Sequence, residues 1–127
     1  MKELTKSEEQ LMQYLWKLKK AFLKDIYEEF QEPRPAYTTI STVIRVLVKK
    51  QFIGYHTYGK VHEYFPLVTK ETYFKARFKS MVQNFFSGSM SSFAHFFTEN
   101  EEMDLTELEK MKAYIEAKIE SIKEENE

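Results

Sequence analysis

Cysteine is absent from the 127 residues, which excludes disulfides, thiolate zinc sites, iron–sulfur clusters and thiol nucleophiles. Glycine and proline are scarce, three of each, so few loops can be built and helix should dominate. No run of about 18 apolar residues occurs, so no membrane insertion is expected. The opening residues are charged and lack the apolar stretch of a secretory signal, so a cytoplasmic protein is the expectation.

Aromatic side chains, in contrast, are plentiful: 11 Phe, 8 Tyr and 1 Trp, 16% of the chain. So much stiff apolar surface needs either a core or a partner. The net charge of −1 conceals a gradient. Residues 1–70 hold 12 Lys/Arg against 8 Asp/Glu, residues 71–98 hold 3 against 1, and residues 99–127 hold 4 against 11. A basic body with an acidic end suits a nucleic-acid binder with a separate association segment; acids that merely solvate a terminal helix would look the same.

Along the chain, Ser7-Glu8-Glu9-Gln10 has the form of a capping box, and Leu11, Met12, Leu15 and Trp16 follow at helical spacing. The first helix is expected over about 6–18. Phe22, Leu23, Ile26, Tyr27 and Phe30 give a second helix, stopped by Pro33 and Pro35. A third begins near Tyr37-Thr38-Thr39, with a hydroxyl available as cap and with Ile40, Val43, Ile44 and Leu47 as its buried stripe. Its other face carries Thr38, Thr39, Ser41, Thr42, Arg45 and Lys49, and no acid occurs from Ala36 to Lys50. Two runs, Phe52–Tyr58 and Val61–Phe65, flank Gly59-Lys60, which suits a two-residue type II′ hairpin pairing Tyr58 with Val61 and Tyr55 with Tyr64.

Thr69 can cap a fourth helix that ends at Ser87-Gly88-Ser89. A short aromatic helix follows over Met90 to Thr98, and Asp104-Leu105-Thr106-Glu107 resembles a capping box for the last helix. Phe74, Phe78, Met81, Phe85, Phe93 and Phe97, with Leu108, Met111, Ile115, Ile119 and Ile122, form apolar faces in this half. They could be an internal core, a ligand cavity or a dimer interface. Some fifty residues make a thin core alone, so dimer burial is expected.

The expected fold is therefore mainly α with a small β-hairpin: a winged helix-turn-helix domain over 1–69 and a helical dimerisation region over 70–127. A helix bound for a DNA groove about 12 Å wide cannot carry carboxylates toward phosphates, whereas hydroxyls and Arg/Lys suit backbone and base edges. Thr38, Thr39, Ser41, Thr42, Arg45, Lys49 and Lys50, with Lys60 at the hairpin tip, are the candidate contacts to double-stranded DNA. No metal site, cofactor or catalytic constellation is expected. His56 and His62 fall on opposite hairpin faces, and Glu8-Glu9, Glu28-Glu29 and Glu101-Glu102 read as solubilising or capping charges.

The segments Leu4–Trp16, Ala36–Arg45, Leu47–Ile53 and Tyr64–Val68 resemble those of the penicillinase-repressor family of BlaI/MecI type. The resemblance implies a homodimeric winged-helix repressor, each copy reading one half of a pseudo-palindromic operator, with DNA contact by Thr39, Ser41, Thr42 and Arg45 and support from Lys60. It also implies release by C-terminal cleavage triggered by a transmembrane zinc-protease sensor responding to β-lactams. Three positions depart from the family pattern. Val46 stands where relatives carry Arg, Gln51 replaces a Gly, and Phe96 stands where an Asn–Phe cleavage bond is expected. The cysteine pairs of the copper-responsive branch are missing. Two other functions fit the same residues: a winged-helix protein–protein adaptor, or a repressor switched by a small ligand in the aromatic C-terminal region.

Overall fold

A computed structural model describes residues 2–99 and 102–127; the expectation for Glu101 lies outside them. The chain forms two compact units, Met1–Met81 and Val82–Glu127.

In the first unit, helix α1 runs Lys6–Leu18 and is followed by the two-residue strand β1, Ala21–Phe22. Helices α2, Leu23–Glu29, and α3, Tyr37–Lys49, come next, then strands β2, Ile53–Tyr58, and β3, Val61–Pro66. The strands make an antiparallel sheet of order β1-β3-β2, and the hairpin pairs Tyr58 with Val61 and Tyr55 with Tyr64, as expected, with His56 opposite Glu63 between them. Of the two turn residues only Gly59 has positive φ, 61°, as a type II′ turn requires. Strand β1 was not anticipated: two residues give no alternation to detect, and pairing with Tyr64 and Glu63 alone defines it.

The core lies where α1, α2 and α3 meet the sheet. Leu11, Met12, Leu15, Ile26, Ile40, Ile44, Leu47, Phe52 and Ile53 are fully buried, each worth about 1.5–3 kcal/mol relative to exposure. The start of α1 is capped by Thr5 and not by Ser7: Glu8 N–H donates to Thr5 Oγ1 at 3.2 Å, and Thr5 N–H donates back to Glu8 Oε1 at 3.1 Å. Helix α3 has Ala36 at its N-cap with no side-chain bond, so the expected hydroxyl cap is absent and Thr38 and Thr39 are left exposed.

Helix α4, Lys70–Phe86, is capped by Thr69, whose Oγ1 accepts from Thr72 N–H at 3.1 Å. Its beginning belongs to the first unit, so the division falls after Met81 and not at the expected residue 69. The reason is a set of long-range bonds. Tyr73 is buried and donates to Glu9 Oε2 at 2.8 Å, Arg77 pairs with Glu3, and Trp16 Nε1 donates to the Val68 carbonyl at 2.8 Å.

The second unit holds α5, Met90–Thr98, and α6, Leu105–Glu125. Ser89 caps α5, and Asp104 caps α6 by accepting from Thr106 N–H at 3.0 Å, a single cap where a reciprocal box was expected. Neither α5 nor α6 contains a buried residue. Among the described residues no helix is long and apolar enough to cross a membrane.

Candidate nucleic-acid interface

At about 100° per residue, Thr38, Ser41, Thr42, Arg45 and Lys49 fall within one stripe of α3, across the helix from buried Ile40, Ile44 and Leu47. Thr38, Thr39, Thr42, Arg45 and Lys49 are exposed and Ser41 is half-buried. Thr39 sits at the margin of the stripe, toward Val43. Thr42 Oγ1 donates to the Thr38 carbonyl at 3.0 Å, which fixes its rotamer and leaves its lone pairs outward. Lys60 is exposed at the wing tip.

Lys50 departs from expectation. Its Nζ lies 2.6 Å from Glu8 Oε1 and reaches the Glu3 carbonyl at 3.5 Å, tying the end of α3 to the start of α1. Burial pushes the Glu8 carboxyl up, but the bonds from Lys50 and Thr5 outweigh it and hold the group below its ordinary range. An ammonium so engaged is not offered to a phosphate.

Two of the departures acquire a physical meaning. Gln51 has φ 66°, Phe52 N–H donates to the Leu47 carbonyl at 2.9 Å, and Gln51 N–H donates to that of Val48 at 3.0 Å. These bonds make a Schellman cap, whose left-handed position usually holds Gly. Val46, 37% exposed, lies about 100° around the helix from Arg45 and borders the stripe with apolar surface. Tyr37, exposed at the start of α3 with its ring 5.2 Å from that of Tyr27, was also not anticipated as a surface residue of this face.

On the wing, the Thr57 hydroxyl is 2.9 Å from His62 Nδ1, and the His62 ring lies 4.4 Å from that of Tyr55. His56 stacks on Phe65 at 5.0 Å, so the two histidines do face opposite sides. The Tyr64 hydroxyl is pushed up by burial, with the charges of Tyr55 and Tyr37 adding and that of Arg45 opposing.

The expected dimerisation residues divide between the units. Phe74, Phe78 and Met81 lie on the first unit's part of α4, where Phe74 and Phe78 stack at 6.2 Å. In the second unit, Phe93, Phe97, Leu108, Met111 and Ile115 line one apolar groove of about 550 Å³ between α5 and α6. Ile119 and Ile122, each 45% exposed, continue the α6 stripe, and Phe85 is exposed beyond the groove. The Phe96–Phe97 bond lies inside α5.

The sequence profile of the penicillinase repressor family matches residues 4–117. The penicillinase repressor of Bacillus licheniformis is 23% identical over 115 residues, 90% of each chain. The methicillin resistance regulatory protein MecI of Mammaliicoccus sciuri is 28% identical over 117 residues, 91% of this chain and 95% of the relative. Among solved structures, the DNA-binding domain of the repressor BlaI superposes with a TM-score of 0.50 at 25% identity, over 57% of this chain and 94% of that domain.

Proposed function

This chain belongs to the penicillinase repressor family, and from that premise we propose that it represses transcription as a homodimer on a pseudo-palindromic operator. Helix α3 enters the major groove, with Thr38, Thr39, Ser41, Thr42, Arg45 and Lys49 toward DNA and Lys60 of the wing on a neighbouring phosphate. The observation that carries this reading is the composition of one surface. The exposed stripe of α3 holds hydroxyls and cations without a carboxylate, opposite the residues that anchor the helix in the core. Such a face is repelled by no phosphate and offers donors to base edges.

A single module of this size makes few phosphate contacts, and two copies held together make twice as many. The α5–α6 groove and the exposed isoleucines of α6 supply the apolar surface for that association. Release follows C-terminal cleavage set off by a transmembrane zinc-protease sensor, as the resemblance implies, but at a bond other than the relatives' Asn–Phe bond, whose Asn is Phe96 here; separated copies then hold a half-site weakly.

The test is selection of a duplex from a random pool, followed by anisotropy titration and sedimentation. Enrichment of a two-fold-related sequence bound by a dimer supports the reading. Arg45→Ala should cost about 1–3 kcal/mol and relax choice at one base position. A monomer without sequence preference would refute it.

A further inference from the structure

Where the first turn of α2, the first residue of α3 and the wing tip converge, an open groove of about 580 Å³ is lined by Phe22, Lys24, Tyr37, Lys60, Val61 and His62, among others. The groove combines apolar walls with two ammonium groups. Lys24 and Lys60 form no ion pair among the described residues, so both charges are available. The one acid in the lining, Asp25, already accepts from the N–H of Phe22, the N-cap residue of α2, at 3.0 Å. Glu63, the acid of the wing, is not part of the lining.

An occupant must therefore carry negative charge and present apolar surface beside it. A DNA strand does both: phosphate oxygens for the lysines, deoxyribose for the aromatic and aliphatic walls. The place is also right. Tyr37 is at once a wall of this groove and the first residue of α3, so the groove continues directly into the stripe that carries Arg45. A helix lying in a major groove has a sugar–phosphate backbone along each side.

We propose that this groove seats the backbone of the strand flanking the bases read by α3, with Lys24 and Lys60 gripping successive phosphates and the sugar packed against Phe22 and Val61. The inference rests on the DNA reading of α3 and extends it to residues that read no base. Lys24 then sets affinity and salt dependence, while sequence choice stays with α3.

The experiment uses the full chain and the duplex enriched from the random pool, titrated by anisotropy at several salt concentrations. Wild type, Lys24→Ala and Lys60→Ala are compared on that duplex and on a scrambled one. The slope of log affinity against log salt should become shallower by ~0.9 for each phosphate no longer neutralised, with the preference for the enriched duplex unchanged. A neutral methylphosphonate scanned through the flanking positions should, at one of them, weaken wild type but not Lys24→Ala. Lys24 is exposed, so an unchanged melting curve is expected and separates contact from folding. A Lys24→Ala slope equal to wild type, or no methylphosphonate position that distinguishes the two proteins, overturns the groove assignment while leaving α3 intact. Failure of the pool to enrich any sequence overturns the reading of α3 itself.

Discussion

Replacing Lys50 with alanine should unfold this protein more easily without altering its hold on phosphates. Lys50 Nζ sits 2.6 Å from Glu8 Oε1, and the Glu8 side chain is only 9% exposed. Removing a fully buried partner costs about 3–5 kcal/mol because a charge is left without compensation. Here Thr5 still donates to Glu8 at 3.1 Å and the Lys50 side chain is 22% exposed, so water can reach part of the vacated space. A loss of about 1.5–3 kcal/mol, the range for charge-assisted hydrogen bonds, is therefore expected at neutral pH. For a unit of this size that is a fall in Tm of roughly 10 °C. The sign with pH follows from the direction of the Glu8 shift. A carboxyl held below its ordinary 4.5 stabilises the fold above that value and ceases to do so as pH falls through its lowered one. The gap between wild type and Lys50→Ala should thus be widest near neutrality and close below pH 4.5. Thermal melts across pH of Lys50→Ala, Glu8→Gln and the double variant that combines them measure it. A recovered coupling of about 1 kcal/mol or more between the two positions supports the pair. Exposed Lys49 is the control: Lys49→Ala should leave Tm alone and reduce the salt slope of DNA binding. Should Lys50→Ala instead melt like wild type and lower that slope, the pairing with Glu8 is wrong and Lys50 belongs with the DNA contacts.

Three other perturbations test separate parts of the molecule. Gln51→Gly relieves a side chain at φ 66° and, after the entropy Gly adds to the unfolded chain, should gain about 0.5–1 kcal/mol in denaturant melts; a loss would contradict the cap. Tyr73, pushed up to about 12 by burial and its bond to Glu9, contributes stability that is complete below pH 10 and fades toward 12. Tyr73→Phe should lack that alkaline transition and lose about 1–2 kcal/mol at neutral pH, read by urea titration. Ile119→Asp places a charge in the α6 stripe and should raise the dissociation constant of the proposed dimer at least ~10-fold, equivalent to 1.4 kcal/mol, by sedimentation; an unchanged constant would refute an interface on this stripe.

Elements whose cause is local could be read in advance. Gly59 between two alternating runs fixed the hairpin and its register, and the 3.6-residue recurrence of Ile40, Ile44 and Leu47 fixed which face of α3 is outward. The hydroxyl and cation stripe on that face followed from the same period. What escaped was set at a distance. Lys50 meets Glu8 across 42 residues, and Tyr73 meets Glu9 across 64, so neither pairing leaves a mark on its own neighbourhood. Two capping boxes were possible near residue 6, and Thr5 with Glu8 prevailed over Ser7 with Gln10 once Glu8 also had Lys50 to hold. The Lys24 groove joins three separate stretches of chain, and no single stretch announces it.

Helix α6 keeps none of its isoleucines out of water by its own means. If a second copy is what covers them, the lifetime of the chain becomes a function of its abundance. Freshly made molecules at low copy number would expose a sticky, easily digested arm, whereas above a threshold each would shelter another. A drop in synthesis would then shorten the life of the copies that remain, alongside whatever cleavage removes.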